Sequence, residues 1–459
     1  MKCIFRLTLV VFVLPSLVFA ERFYVDVIAE EEGDGQSWDT AFRYLQDALD
    51  ETVAGRGDEV WIGEGMYYPD QGAAVTEGDR TESFHVKEHV TLYGGFAGGE
   101  TELDERDWES NRTILSGEID ENKGSWSYHV LHVSNGVLDG VEVVRGNANG
   151  EDERSRSGAV VVKGSITAIN ATFSENSAKE GGVSYGGEWE VINSVFRENS
   201  AKRRSGGVAS GSDWTVTDSV FKENSAEIHG GVVRGGTWEV ANSVFESNSA
   251  KNGMGGVAAL FSDWEVVNSV FEGNSAAENG GVAAGVRWKV VNSTFLGNSA
   301  EGNGNVGNQG HWRVWNNIFA DEASFYDLDS FSNAEPGDSS DPERAANLIA
   351  DGVASLPDDA DTGSPELVID ADPLFVDPEN PAGPDGIWGT EDDGLRLHED
   401  SPAIAQGNAF FLPDDVHDLD KDKVTDKTIP IDFAGFARIQ GEGLDLGAYE
   451  YGDEKPGSK

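Results

Sequence analysis

Six charged positions in the middle of the chain have the types and spacing to do chemistry together. A Trp recurs about every 24 residues, and the residues on either side of it read Glu188/Glu190, Asp213/Thr215, Thr237/Glu239 and Asp263/Glu265, then Arg287/Lys289 and His311/Arg313. The series passes from acidic to basic. If successive units stack in register, Asp263 comes beside Arg287 and Glu265 beside Lys289. A lyase acting on acidic sugars could use such a junction, with calcium held on the acids and Arg or Lys as the base. The plainer reading of Asp263, Glu265, Arg287, Lys289, His311 and Arg313 is a surface ladder of ion pairs, each worth about 0–1 kcal/mol. The plainer reading is preferred.

Two acidic segments have the composition of calcium loops. In DLDKDKVTD, Asp418, Asp420, Asp422 and Asp426 occupy the first, third, fifth and ninth places of an oxygen-ligand loop. Lys423 stands where such a loop has glycine, and no Glu follows at the twelfth place. In GPDGIWGTEDDG, Asp385, Glu391, Asp392 and Asp393 cluster among glycines, and a solvated turn is the alternative. Calcium is the only cofactor the sequence suggests.

Other chemistry is excluded more readily. There is no His cluster of metal-ligand spacing, no Gly-x-Ser-x-Gly and no cysteine nucleophile. The paired aspartates and Gly-His-Gly of a polygalacturonase are also missing. With 83 acidic against 33 basic residues and a net charge of -50, nucleic acid is not an expected partner. The opening MKCIFRLTLVVFVLPSLVFA has basic Lys2 and Arg6, an apolar stretch, and small Val18 and Ala20 before a cleavage point, as a secretory signal does. Cleavage there starts the exported chain at Glu21 and removes Cys3, the only cysteine. No later apolar run approaches the roughly 20 residues of a membrane helix.

The elements that position these residues follow from repetition. Phe173, Phe196, Phe221, Phe245, Phe271, Phe295 and Phe319 are 23, 25, 24, 26, 24 and 24 residues apart. Seven residues before each of the last six stands Trp189, Trp214, Trp238, Trp264, Trp288 or Trp312, with Val two places after each Trp. A period near 24 is too short for helix pairs and reads as three short strands and three turns, one rung of a parallel β-helix with rungs about 4.8 Å apart. Like then stacks on like. Asn176, Asn199, Asn224, Asn248, Asn274 and Asn298 become a hydrogen-bonded ladder. Asn170, Asn193, Asp218, Asn242, Asn268, Asn292 and Asn316 mark a corner with left-handed backbone. A Trp column could also be a set of outward platforms for sugar rings. The polar residue after each Trp and the Val beyond it place the Trp inside instead.

The units FSENSAKEGGV (173–183), FRENSAKRRSGGV (196–208), FKENSAEIHGGV (221–232), FESNSAKNGMGGV (245–257) and FEGNSAAENGGV (271–282) resemble the repeats of chlamydial polymorphic outer membrane proteins. The resemblance covers about a third of the chain. It implies an all-β, right-handed parallel β-helix of pectin-lyase-like architecture on an exported, adhesin-type protein of the cell envelope or outer membrane surface. Those proteins end in an autotransporter barrel, whereas this sequence ends YGDEKPGSK, so self-anchoring is not expected.

The flanks resemble a wider group of secreted bacterial β-helix proteins. Residues 23–70 are similar to their opening, in which a helix precedes the first rungs. Here Ser37 or Asp39 is placed to cap a helix over 39–54, with Phe42, Leu45, Ala48 and Leu49 on its apolar face. VTLYGGFAGGE (90–100) and NRTILSGEID (111–120) continue the likeness, and DPLFVDPEN (372–380), SPAIAQGN (401–408) and LDLGAYEY (444–451) are similar to closing segments. The expected organisation is a signal segment at 1–20, an N-terminal cap and first strands at 21–70, and a β-helix at 71–320 with its regular core at 166–320. An acidic excursion at 321–370, a closing region at 371–451 and a tail at 452–459 follow. The function expected is a non-catalytic adhesion, structural or carbohydrate-binding module whose partner is a polysaccharide or cell-surface component. A pectate-lyase-like polysaccharide lyase or a glycoside hydrolase is the alternative.

Overall fold

The computed structural model describes residues 19–119, 126–322, 324–332, 345–350, 356, 360–361 and 367–452. Most of the signal segment, much of 321–370 and most of the tail therefore lie outside the described residues. The chain is an all-β parallel β-helix. Its strands form three parallel sheets, of 16, 12 and 7 strands among the described residues.

Each rung lays the same residues on its neighbour. Trp189 pairs with Trp214, Trp214 with Trp238, Trp238 with Trp264, Trp264 with Trp288 and Trp288 with Trp312 in the largest sheet. The Phe column pairs likewise in the second. Asn147–Ala148 and the Ser-Ala dipeptides from Ser177–Ala178 to Ser299–Ala300 form the third. Both aromatic columns point inward, the Trp residues at 0–3% exposure and the Phe residues at 0%. Phe221 and Phe245 stack at 4.9 Å and 7°, and Trp214 and Trp238 at 4.7 Å and 5°. Face-to-face stacking is not the arrangement ring quadrupoles favour; strand spacing imposes it. Edge contacts between the columns, such as Phe196 to Trp214 at 5.2 Å and 63°, supply the preferred geometry. The six indole N–H groups of the column are buried without a hydrogen-bond acceptor, so the column is held by packing alone.

The Asn ladder forms as its spacing requires. Each amide oxygen accepts the backbone N–H and the Nδ2–H of the preceding rung's Asn, at 2.9–3.1 Å, from Asn176 through Asn298. The last rung donates to the Asp321 carboxylate instead. A second ladder, of Ser194, Ser219, Ser243, Ser269 and Ser293 passing to Asn317 and Asn347, was not read from the sequence. The corner line Asn170 to Asn316 has φ of 45–59° throughout, the left-handed backbone expected. The second Gly of each Gly-Gly pair is fixed by its neighbour: a Cβ on Gly231 would lie 2.0 Å from the Gly256 carbonyl oxygen.

The N-terminal helix is shorter than the sequence suggested, Leu45–Glu51, and neither Ser37 nor Asp39 caps it. Trp38–Thr40 is a 3-10 turn, and Phe42 pairs with the strand Arg22–Val25 before the helix starts. Strand pairing takes the residues that helical periodicity would have used. Leu45, Ala48 and Leu49 are buried in the main core, as that face predicted.

Within 321–370, Phe325–Tyr326 and Ser330–Ser332 join the largest sheet and Asn347–Ile349 the second. Residues 371–452 run back along the outside of the rungs. Leu419, Ile429 and Ile431 pack on Val267, Val291 and Trp315, while Phe433, Ala448 and Tyr449 pack on Val244 and Val270. The LDLGAYEY segment is the hook of this strap: Gly447 N–H donates to the Asn316 carbonyl at 2.8 Å and Ala448 N–H to Thr294 Oγ1 at 2.9 Å.

Candidate functional site

Alternation along the Trp-bearing strands puts Trp and Val inside and leaves their neighbours on the outer face of the largest sheet. Stacking turns those neighbours into two columns. One runs Ser165, Glu188, Asp213, Thr237, Asp263, Arg287, His311, Ser330, and the other Thr167, Glu190, Thr215, Glu239, Glu265, Lys289, Arg313, Ser332. A cleft of about 750 Å³ covers the rungs from Thr237 to Ser332, and one of about 380 Å³ covers those from Ser165 to Glu239. They share Thr237 and Glu239, so the columns floor one groove. Asp361, bridged to Ser332, lies at its basic end.

All six residues singled out from the sequence lie in this groove. Asp263 and Arg287 form a bidentate pair, with Nε to Oδ1 at 2.6 Å and Nη2 on Oδ2, and Lys289 Nζ is 2.6 Å from Glu265 Oε1. His311 Nδ1 is 2.9 Å from Ser330 Oγ. Arg313 is exposed and has no ion pair among the described residues. The Asp263 carboxylate holds the Arg287 guanidinium above its ordinary range, so Arg287 stays a cation and cannot accept a proton. Held in this pair, Arg287 does not furnish an arginine base.

Sequence reasoning missed Phe261. It is 81% exposed, two residues before Asp263, and both Leu260 (φ 43°) and Phe261 (φ 64°) are left-handed. The Gly235–Gly236 pair occupies the same turn of the preceding rung. The signal was the 26-residue step between Phe245 and Phe271: this rung carries one more residue than its predecessor between the Gly-Gly pair and the Trp.

The two calcium segments fare differently. Asp385, Glu391, Asp392 and Asp393 do not converge. Asp393 is buried at 1% and accepts from Gly389 N–H and the Tyr449 hydroxyl, while Asp385 accepts from Ile387 N–H and Asp392 from the Thr390 hydroxyl. These carboxylates build turns. In the second segment Lys423 takes the left-handed backbone (φ 68°) of the missing glycine, yet the four acids are not gathered. Lys427 Nζ sits 2.6 Å from both Asp420 and Asp422, and Asp426 stays exposed outside the cluster. Asp418 and Asp420 group instead with Asp415, which the spacing did not include.

No helix among the described residues is long and apolar enough to cross a membrane. No protein-family profile and no curated protein matches the chain. Among solved structures, a pectate lyase is similar over 95% of this chain and 98% of its own, with a TM-score of 0.52 at 15% identity. A rhamnogalacturonan lyase aligns over 83% of this chain and 97% of its own, with a TM-score of 0.40 at 13% identity. The likeness to the pectate lyase is one of fold, a parallel β-helix of the pectin-lyase-like kind, and assigns no residue a role.

Proposed function

We propose that this protein is an exported, non-catalytic β-helix module whose groove binds an acidic polysaccharide at the cell envelope or outside the cell. The observation that carries the reading is the pair of columns that turns basic at Arg287, Lys289, His311 and Arg313, with Arg313 without an acidic partner among the described residues. The Trp column is buried in the core, so the groove floor offers charge and hydrogen bonds rather than rings to a sugar. Such a surface discriminates by charge, and a ligand carrying regularly spaced carboxylates fits basic side chains presented at the same positions of successive rungs. Export rests on the signal-like start, and a surface setting on the likeness of the repeats to those of chlamydial polymorphic outer membrane proteins.

The lyase reading keeps one observation in its favour, an imidazole at His311 paired in register with Arg287. One experiment separates the two: polygalacturonate and alginate are offered to the purified protein, and both retention and release of unsaturated, ultraviolet-absorbing ends are followed. Retention that weakens with salt and with Arg313→Ala, without release of such ends, is the expected result. Release abolished by Arg287→Ala or His311→Ala would establish the lyase, and no retention of any acidic glycan at low salt would remove the binding proposal.

A further inference from the structure

The strap carries a second cluster that the groove does not use. Asp415, Asp418 and Asp420 each offer a carboxylate oxygen, and the three oxygens lie within 4.8 Å of one another. Proximity of acids alone would be a solvated loop. Asp415, however, is 0% exposed, and while its Oδ1 accepts from Leu419 N–H at 2.9 Å, no donor among the described residues reaches its Oδ2. Asp420 repeats the pattern, with Oδ2 on Lys427 and a buried Oδ1 that has no partner. A buried carboxylate oxygen without a donor is costly unless a cation faces it.

We propose that Asp415, Asp418 and Asp420 bind one calcium ion. Oxygens around calcium stand about 2.3–2.6 Å from the ion, so those on opposite sides are about 4.6–5.2 Å apart, which the cluster's span accommodates. A divalent ion offsets most of the charge of the three carboxylates, Lys427 being shared between Asp420 and Asp422. Asp422 and Asp426 stand outside the ligand set, which separates this site from the loop pattern visible in the sequence. The ion would fix the strap where it flanks the groove: Pro413, Val416 and His417 line a cleft with Glu239 and Glu265, and His417 Nδ1 is 3.2 Å from Thr217 Oγ1.

The test uses the full chain, stripped with chelator and titrated with calcium alone by calorimetry, equilibrium dialysis and thermal melting. One tightly held ion per chain and a raised melting temperature are expected. Asp415→Asn, which keeps an acceptor for Leu419 N–H, weakens binding at least tenfold, while Asp422→Asn and Asp426→Asn do not. If Asp415→Asn fails to fold, Asp418→Asn at the half-buried Asp418 takes its place. No stoichiometric ion on the wild type at millimolar calcium would overturn the proposal, as would undiminished binding by the Asp415 variant or equal loss in the Asp422 variant. Stabilisation by acid but not by calcium would show that a proton, not a metal, satisfies Asp415, and would overturn it equally.

Discussion

At the scale of single residues, Phe261 is the side chain least explained by the solenoid. A large residue in the left-handed region costs roughly 1–2 kcal/mol, and two in succession persist only where something else holds them. Nothing in the core gains from Phe261, whose ring is 81% exposed. Phe261→Gly is therefore expected to raise stability by about 1 kcal/mol, since glycine takes this backbone without strain, while weakening acidic-glycan binding several-fold. Phe261→Trp keeps the binding. Melting curves read beside glycan affinity check both halves, and unchanged affinity in the Gly variant would leave the ring without a role in the groove.

At the scale of the element, the rung, polar ladders are worth as much as aromatic columns. Asn248 accepts from the Asn224 N–H and Nδ2 and donates to the Phe221 carbonyl and Asn274 Oδ1, at 2.8–3.0 Å, all buried. Ala there strands several buried groups, at about 1–3 kcal/mol each before relaxation. Phe271→Ala removes a fully buried ring from the stack, a truncation of about 3–5 kcal/mol. Asn248→Ala is expected to cost at least as much although it removes far less apolar surface, as denaturant unfolding of the two variants measures. Because each rung contacts only its neighbours, hydrogen-exchange protection should fall first around the altered rung. A loss under 1 kcal/mol for Asn248→Ala would mean the ladder is incidental to rung pairing.

At the scale of the whole molecule, burial of acids sets the pH response. Asp321, ending the Asn ladder, is pushed up to about 6 by desolvation, and Glu450, buried in the strap beside Arg438, up to about 9 by the same cause against the pull of that guanidinium. Asp393, Asp432 and Asp445 shift upward too, each chiefly through burial. A carboxyl that holds its proton longer when folded releases it on unfolding, so its contribution is full at low pH and fades as pH rises through the folded value. For Asp321 that window runs from about 4 to 6, and for Glu450 from about 4.5 to 9. The net charge of -50 acts in the same sense. The melting temperature is accordingly expected to be highest in mildly acidic solution and to fall towards pH 9. Asp321→Asn continues the ladder with an amide, lessens the slope between pH 4 and 6, and raises stability at pH 7 by about 1–3 kcal/mol. A melting temperature that climbs from pH 5 to 9 would contradict this reading.

What the sequence determined by itself is everything the repeat enforces. A period near 24 fixes the register of every rung, so the inward Trp and Phe columns, the Asn ladder, the left-handed corner and even the meeting of Asp263 with Arg287 follow from counting residues. Stacking of like on like makes a long-range contact legible as a local spacing. Contacts with no period behind them were decided by tertiary structure. Phe42 pairs with the strand Arg22–Val25 where helical periodicity had claimed it, because strand pairing outweighs propensity in a short segment. Asp415 joins Asp418 and Asp420 in a cluster that leaves out Asp422 and Asp426, a grouping set by how the folded loop turns and not by the spacing of its acids. The strap itself lies along the rungs through Gly447 and Ala448, contacts more than 100 residues distant in sequence that no spacing encodes. Repetition is information written many times over; a single docking is written once, and only the folded chain brings its two halves together.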